Sequence, residues 1–279
     1  MKITKTVEEV KRFVKPWKKE GLSIGLVPTM GFLHEGHASL IKRAREENDI
    51  VIVSDFVNPI QFGVGEDLES YPRDFEADCQ LCRDLGVDLI FNPSPEEMYL
   101  DGFHTHVGVD VLSKGLCGKT RPIHFNGVCT VVSKLFNIAE ADRAYFGQKD
   151  AQQLCIVKRM VRDLNFNIEI VGCPIIREND GLAKSSRNTY LSFDERKAAL
   201  IINKALTTGK SLLLSGVHDA DKIKEEVTKI IETEPLAKID YVEIVETNEL
   251  QPVKQITGEI LCAVAVYIGK TRLIDNFFA

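Results

Sequence analysis

At 279 residues, with 44% hydrophobic and 27% charged positions, the chain is long enough for one large or two moderate domains, and its composition excludes a disordered or fibrous protein. Lys and Arg number 35 against 41 Asp and Glu, and the net charge of −6 argues against nucleic acid as the main partner. The stretch 1–19 mixes charges without a signal-type apolar core, and the longest apolar run, 260–268, is far short of a bilayer span, so a cytoplasmic protein without a membrane partner is expected.

In chain order, 23–27 is a short apolar run ending at Pro28, and 50–57 is a longer β-branched run ending at Asn58-Pro59; both read as buried parallel strands. A helix over 38–47 lies between them, with Leu40, Ile41 and Ala44 on one side. A second helix, 75–85, is stopped by Gly86 and leads into a strand at 87–91. This helix carries Cys79 and Cys82. No second pair follows at zinc-ribbon spacing, so the two read as core thiols on one helical face rather than a metal or redox site. The seven cysteines, an odd number mostly within apolar segments, fit a reducing compartment.

Val128, Val131, Val132, Leu135 and Phe136 then fall at helical spacing within 127–139, followed by a strand at 143–146, a helix at 151–164 and a strand at 168–171. Such alternation predicts an α/β fold, a doubly wound parallel sheet with helices on both faces, in which ligands bind beyond the carboxyl ends of the strands. The unusual polar segments follow those ends: 28–37, 58–63 and 147–153. After a change near 174–188 come helices at 195–214 and 219–232 and strands at 241–246, 260–268 and 271–274, which suggest a smaller α+β domain. The expected domains are 1–175 and 176–279.

Two nucleotide motifs are nearly present and fail. Gly118-Lys119-Thr120 resembles the end of a P-loop, but the earlier glycine position is Ser113 and Arg121-Pro122 follows where a helix should run. Gly63-Val64-Gly65 follows a strand, yet the third glycine position is Leu68. The strongest segment is Pro28-Thr29-Met30-Gly31-Phe32-Leu33-His34-Glu35-Gly36-His37, running from a strand end into a helix start. Its small residues let backbone approach a ligand, the helix start favours anions, and two imidazoles can donate to phosphate oxygens. On spacing alone, a nucleotide-phosphate site, a surface turn and a metal pair all remain open.

The H-x-G-H of 34–37 on a β-to-α turn resembles the signature of the nucleotidylyltransferase superfamily, which includes class I aminoacyl-tRNA synthetases. The longer PTMGFLHEGH is similar to the pantothenate synthetase family, the pantoate and β-alanine ligases. FVNPIQF (56–62), YPRD (71–74), RPIHFNGV (121–128), YFGQKDAQQ (145–153) and the 177–188 segment agree with that family in the same order. The resemblance implies a Rossmann-like nucleotide-binding domain with a smaller C-terminal domain carrying a lid loop. It also implies adenylation of pantoate by ATP with release of pyrophosphate, then attack of the β-alanine amine with release of AMP, in a homodimer. Mg²⁺ is expected to enter with the ATP phosphates, and no protein metal ligand is assigned.

By the same resemblance, Met30, Gly31, His34 and His37 hold ATP, and His37 assists the departing pyrophosphate. Gly147, Gln148, Lys149 and Asp150 form the next ATP segment, Lys149 facing phosphate and Asp150 the ribose hydroxyls, although Asp150 with Gln153 also reads as a helix capping box. Ile176 matches a backbone contact to the nucleotide, and Lys184, Ser185, Ser186 and Arg187 match the superfamily's mobile phosphate loop. Gln61 and Gln153 match glutamines that bind pantoate, with Asn58 shaping the same pocket. These neutral amides speak against a relative that transfers nucleotidyl groups to a phosphorylated alcohol, which would call for Arg or Lys there. Intact His34, His37, Lys149 and Lys184 speak against a binding-only regulator. Arg121 and His124 are open between substrate charge and a structural salt bridge. Two positions depart from the family pattern: Asp55, in a strand where relatives carry an aliphatic residue, and Cys117, where many carry Glu.

Overall fold

The computed structural model describes residues 1–279. A short strand, Lys2–Thr4 (β1), and a helix, Val7–Lys19 (α1), come first. The helix begins at a reciprocal capping box between Thr6 and Glu9, and Val10 and Val14 form its buried face. Neither element is among the sequence expectations, although Thr6-x-x-Glu9 ahead of an apolar repeat is a helix-start signature.

The expected alternation follows as Ile24–Thr29 (β2), Glu35–Glu47 (α2), Ile50–Asp55 (β3), Phe75–Asp84 (α3) and Leu89–Phe91 (β4). Two four-residue helices, Pro95–Met98 (α4) and Cys117–Thr120 (α5), precede His124–Ala139 (α6), Arg143–Gly147 (β5), Ala151–Asp163 (α7) and Glu169–Cys173 (β6). The six strands form one sheet in the order β1-β4-β3-β2-β5-β6, and every pairing is parallel. β3 is buried at all six positions, as a strand covered on both faces must be. Leu40, Ile41 and Ala44 of α2 and Cys79 and Cys82 of α3 pack on Val27, Val51, Val53 and Ile90. Burial pushes both of these thiols up, that of Cys82 to about 12, which keeps them protonated and inert.

The remaining elements are Phe193–Ala198 (α8), Leu200–Leu214 (α9), Ala220–Ile231 (α10), Ala237–Glu246 (β7), Ile260–Ile268 (β8) and Thr271–Phe278 (β9). The strands form an antiparallel sheet in the order β7-β8-β9, and Ile202, Leu206, Ile223 and Val227 of the helices pack against it. By contact density the chain divides into two compact units, Met1–Val109 with Arg121–Gln148 and Ile156–Pro174, and Asp110–Thr120 with Lys149–Cys155 and Ile175–Ala279. No helix is long and apolar enough to cross a membrane.

One close approach in the first unit positions a candidate substrate residue. A Cβ on Gly127, in the first turn of α6, would lie 2.5 Å from the Gln61 Cα and 2.5 Å from the Ile60 carbonyl oxygen, inside van der Waals contact with backbone that has no side-chain freedom to yield. Gly127→Ala is expected to destabilise the fold by about 1–3 kcal/mol, visible as an earlier midpoint in urea unfolding. An unchanged midpoint would show that the helix and the turn can separate without loss.

Candidate active site

The strand order of the parallel sheet reverses at β2 and β5, which are neighbours. The segments leaving their carboxyl ends, from Met30 and from Gly147, therefore flank the crevice where doubly wound sheets bind ligands. Gly147 ends β5, and a side chain there would meet nothing within 4 Å, so the strand end is open to a close approach; Gln148 follows directly.

Beyond β2 the chain turns through two left-handed residues, Gly31 at φ +76° and Phe32 at φ +51°. The second is costly for a side-chain-bearing residue and has a visible compensation. Asp78 of α3 accepts the Phe32 N–H on Oδ2 at 2.7 Å and the Leu33 N–H on Oδ1 at 2.6 Å. A Cβ on Gly31 would run into Asp55 Oδ1, so this position needs glycine for space as well as for φ.

The turn delivers His34 as the N-cap of α2, with His37 one turn further on. His34 Nδ1 accepts the Gly36 N–H at 3.1 Å, and His37 Nδ1 accepts the His34 N–H at 3.3 Å. The ring centroids are 4.1 Å apart. With Nδ1 used as acceptor in both rings, the neutral imidazoles carry their protons on Nε2, which becomes the donor at a helix start where negative charge is favoured.

Met30, Asn58 and Gln61 are brought into direct contact. Gln61 Nε2 donates to Met30 Sδ at 3.0 Å, and its Oε1 accepts Asn58 Nδ2 at 3.0 Å. Asn58 also donates to the Gly127 carbonyl at 3.1 Å, and its Oδ1 accepts the Tyr99 hydroxyl at 2.6 Å. Asn58 and Gln61 are buried, so the amide orientations are set by this network. Arg121 and His124 resolve toward structure. Arg121 Nε donates to Glu66 Oε1 at 2.9 Å, and His124 is buried with Nδ1 3.0 Å from the Gln61 carbonyl oxygen. Burial alone would raise the Glu66 carboxyl, yet the Arg121 guanidinium holds it below its usual value.

In the second unit, Lys149 and Asp150 lie in a short 3-10 turn, their charged atoms 3.9 Å apart. Gln153 is half-buried in the first turn of α7. Its neighbour Gln152 is buried, donating from Nε2 to the Leu112 and Gly115 carbonyls, both at 2.8 Å, and accepting the Cys117 N–H at 2.9 Å. In that Gln-Gln pair, one amide thus clamps the 112–117 backbone.

Residues 176–184 form a narrow hairpin. The Lys184 N–H donates to the Ile176 carbonyl at 2.9 Å, and the Glu178 N–H to the Leu182 carbonyl at 2.8 Å, around Gly181 at φ +97°. The Ile176 carbonyl is therefore engaged within the hairpin. Ser185 caps the following 3-10 turn, its Oγ accepting the Arg187 N–H at 3.3 Å, while Ser186 is buried. Cys117 lies 3.2 Å from the Tyr241 hydroxyl and within 3.7 Å of the Arg272 guanidinium, which also binds Asp240 at 2.7 Å.

Tyr99, Asp78 and Gln152 escape a sequence reading because each is a common residue whose partner lies more than 30 positions away. Asp55 carried a signal, a carboxylate in an apolar strand. Its neighbour is Asp78, and burial first, then the Asp78 charge, push the Asp55 carboxyl up to about 7. No hydrogen-bond donor reaches Asp55 Oδ2. Burial also raises Asp78 despite its two backbone donors. Both carboxyls are thus pushed toward the protonated form, Asp55 the more strongly, beside the turn that presents the imidazoles.

Because the folded Asp55 holds its proton more tightly than the unfolded chain, the folded state binds more protons between about pH 4 and 7, and stability falls as pH rises through that window. The slope from this one group is at most about 1.4 kcal/mol per pH unit. Asp55→Asn should flatten the profile and be more stable than the parent at pH 8, as urea unfolding between pH 4.5 and 8 will measure. Parallel profiles for the two proteins would contradict the raised Asp55 carboxyl.

The family model described as pantoate-beta-alanine ligase matches residues 2–278. A pantothenate synthetase of Clostridium botulinum (strain Loch Maree / Type A3) is 61% identical over 277 residues, covering 99% of each chain. The crystal structure of a pantothenate synthetase from Thermus thermophilus superposes with a TM-score of 0.95 at 44% identity, covering 99% of each chain. A pantoate-beta-alanine ligase from Francisella tularensis, complexed with beta-gamma ATP and beta-alanine, gives 0.80 at 36% identity, covering 99% of this chain and 97% of that one. The chain belongs to the pantoate–β-alanine ligase family, whose reaction joins pantoate to β-alanine.

Proposed function

We propose that this protein condenses pantoate with β-alanine in two displacements driven by ATP. In the first, a pantoate carboxylate oxygen attacks the α-phosphorus, the bond to the β-phosphate bridging oxygen breaks, and pyrophosphate leaves. In the second, the β-alanine amine attacks the acyl carbon of pantoyl adenylate, the acyl C–O bond breaks, and AMP and a proton leave with pantothenate formed. Neither displacement needs a covalent enzyme intermediate, so positioning and charge stabilisation carry the catalysis.

The observation that carries this reading is the pair of imidazoles, His34 and His37, each anchored through Nδ1 at the start of the helix that follows β2, beside the strand-order reversal. Donors there oppose the charge that grows on departing pyrophosphate, the role assigned to His37, with His34 supporting it. Met30, Gly31, Gly147, Gln148 and the Ile176 backbone hold the nucleotide. Lys149 and the Lys184-Ser185-Ser186-Arg187 segment meet phosphate, and Asp150 meets the ribose. Gln61 and Gln153 bind pantoate, with Asn58 fixing the Gln61 amide at 3.0 Å. A neutral amide orients a hydroxyl or carboxylate without trapping it as an ion pair.

Mg²⁺ enters as a passenger of the triphosphate, neutralising its charge, with no protein ligand named. Residues 1–175 and 176–279 serve as nucleotide domain and lid-bearing domain. The relatives' ATP and β-alanine complex, and the family match along the whole chain, support this reading. A homodimer working in the cytoplasm completes it.

Exchange of labelled pyrophosphate into ATP isolates the first displacement. It is expected to require pantoate, to proceed without β-alanine, and to fall by about 10²–10⁴ in His37→Ala. A folded, ATP-binding protein without pantoate-dependent exchange would overturn the proposal.

A further inference from the structure

β9 is an edge strand of the antiparallel sheet, and its odd-numbered residues face the helices: Thr271, Leu273 and Phe277 are buried, the last two in the apolar core. Asp275 occupies the same face, 3% exposed, where the alternation calls for an apolar residue. A carboxylate there is tolerated only if it is paired. Its partner is Arg177, held by both oxygens at 2.6 and 3.0 Å, and Arg177 donates in turn to the Gly181 carbonyl at 3.1 Å. Asp275 therefore grips the hairpin that presents Lys184 and Ser185.

The next residue, Asn276, points by strand alternation to the opposite face and is also 3% exposed. Its Nδ2 donates to the backbone carbonyl of Lys149 at 2.9 Å, and its own N–H donates to Asp275 Oδ1 at 2.8 Å. Two adjacent buried polar residues thus send one arm to each cationic segment assigned to phosphate. Lys149, Ser185 and Asp275 line one small cleft with Ala183, Asn188 and Ile274, so both segments reach the strand at the same level.

The cost of burying this pair has no return in core packing, since an aliphatic residue would serve the helix-facing position better. Other contacts already fix the hairpin internally: Arg196 binds Glu178 at 2.8 Å and Asp180 at 3.0 Å, and Asn188 binds the Ala183 carbonyl at 3.1 Å. What those contacts leave undefined is the spacing between the hairpin and Lys149.

We propose that Asp275 and Asn276 are positioning residues that set the distance between Lys149 and the Lys184–Arg187 segment, so that both cations meet the same triphosphate in the transition state. The proposal rests on the reading of these segments as phosphate-binding. Groups aligned for a transition state lose rate, rather than ground-state affinity, when they are displaced.

The test is pantoate-dependent pyrophosphate exchange by the full-length protein, with KM for ATP, kcat and thermal midpoint recorded together. Asn276→Ala is expected to lower kcat by about ten- to a hundredfold with KM for ATP nearly unchanged. The isosteric Asn276→Asp, which removes the donor while keeping the volume, should lose a similar factor and serves where the alanine variant does not fold. In a Lys149→Ala background the same Asn276 changes should cost less than about twofold more, because the residue acts through Lys149. Asp275→Asn should show the same coupling to Lys184→Ala.

Additive losses in the double variants, a raised KM with kcat intact, or a lowered thermal midpoint with unchanged kinetics would each overturn the positioning role. A parent protein without pantoate-dependent exchange would instead defeat the function reading, so the two failures are distinguishable.

Discussion

Everything proposed for the first unit depends on one topological constraint, the reversal of strand order between β2 and β5. Loops leaving these two parallel strands must diverge, and the crevice between them is where doubly wound sheets bind ligands. The protein exploits this by placing there a turn that is itself unfavourable, two successive left-handed residues of which one is phenylalanine. The Asp78 carboxylate, contributed by a different helix, holds the two amides that this turn exposes. Strain in the loop is offset by charge-assisted hydrogen bonds beneath it, and the imidazoles above inherit a fixed direction.

That arrangement explains why Asp55 is informative. A carboxylate at the carboxyl end of a fully buried strand is a liability while it is charged, and burial first, then the neighbouring Asp78, push it toward the protonated form. Both carboxyls are raised by burial, so the charge held beneath the loop is reduced without a counter-cation. The second unit solves a related problem differently. Asp275 in a core-facing position is satisfied by a guanidinium rather than by a proton, and the ion pair ties a hairpin to a strand. In both places a buried acid marks where a segment named in the functional reading is held.

Most of the sheet was legible in the sequence because long β-branched and apolar runs such as 50–55 have few other fates, and because Gly86 and Pro28 punctuate the elements around them. The alternation of those runs with helical spacing was enough to anticipate a doubly wound sheet. β1 and α1 were less visible since charge masks the apolar face formed by Val10 and Val14, and a three-residue strand has almost no periodicity to read. β9 reads as ending at Ile274 because Asp275 and Asn276 break the apolar pattern, and the structure continues it to Phe278. For the candidate site, His34, His37, Gln61 and Lys149 stand out in the sequence by motif. The residues that fix them, Asp78, Tyr99 and Asn276, were not, because their significance lies in contacts across 41 to 127 positions. Arg121 could not be assigned until Glu66 was seen beside it.

The central claim is that the carboxylate of pantoate is activated as an acyl adenylate. Its most direct test follows the oxygen atoms: pantoate labelled with ¹⁸O in its carboxylate is turned over with ATP and β-alanine, and the phosphorus products are examined by mass spectrometry. The account predicts one labelled oxygen in AMP and none in pyrophosphate, because the carboxylate oxygen bonded to the α-phosphorus leaves with the nucleotide. Label in inorganic phosphate with ADP formed, or unlabelled AMP, would contradict it.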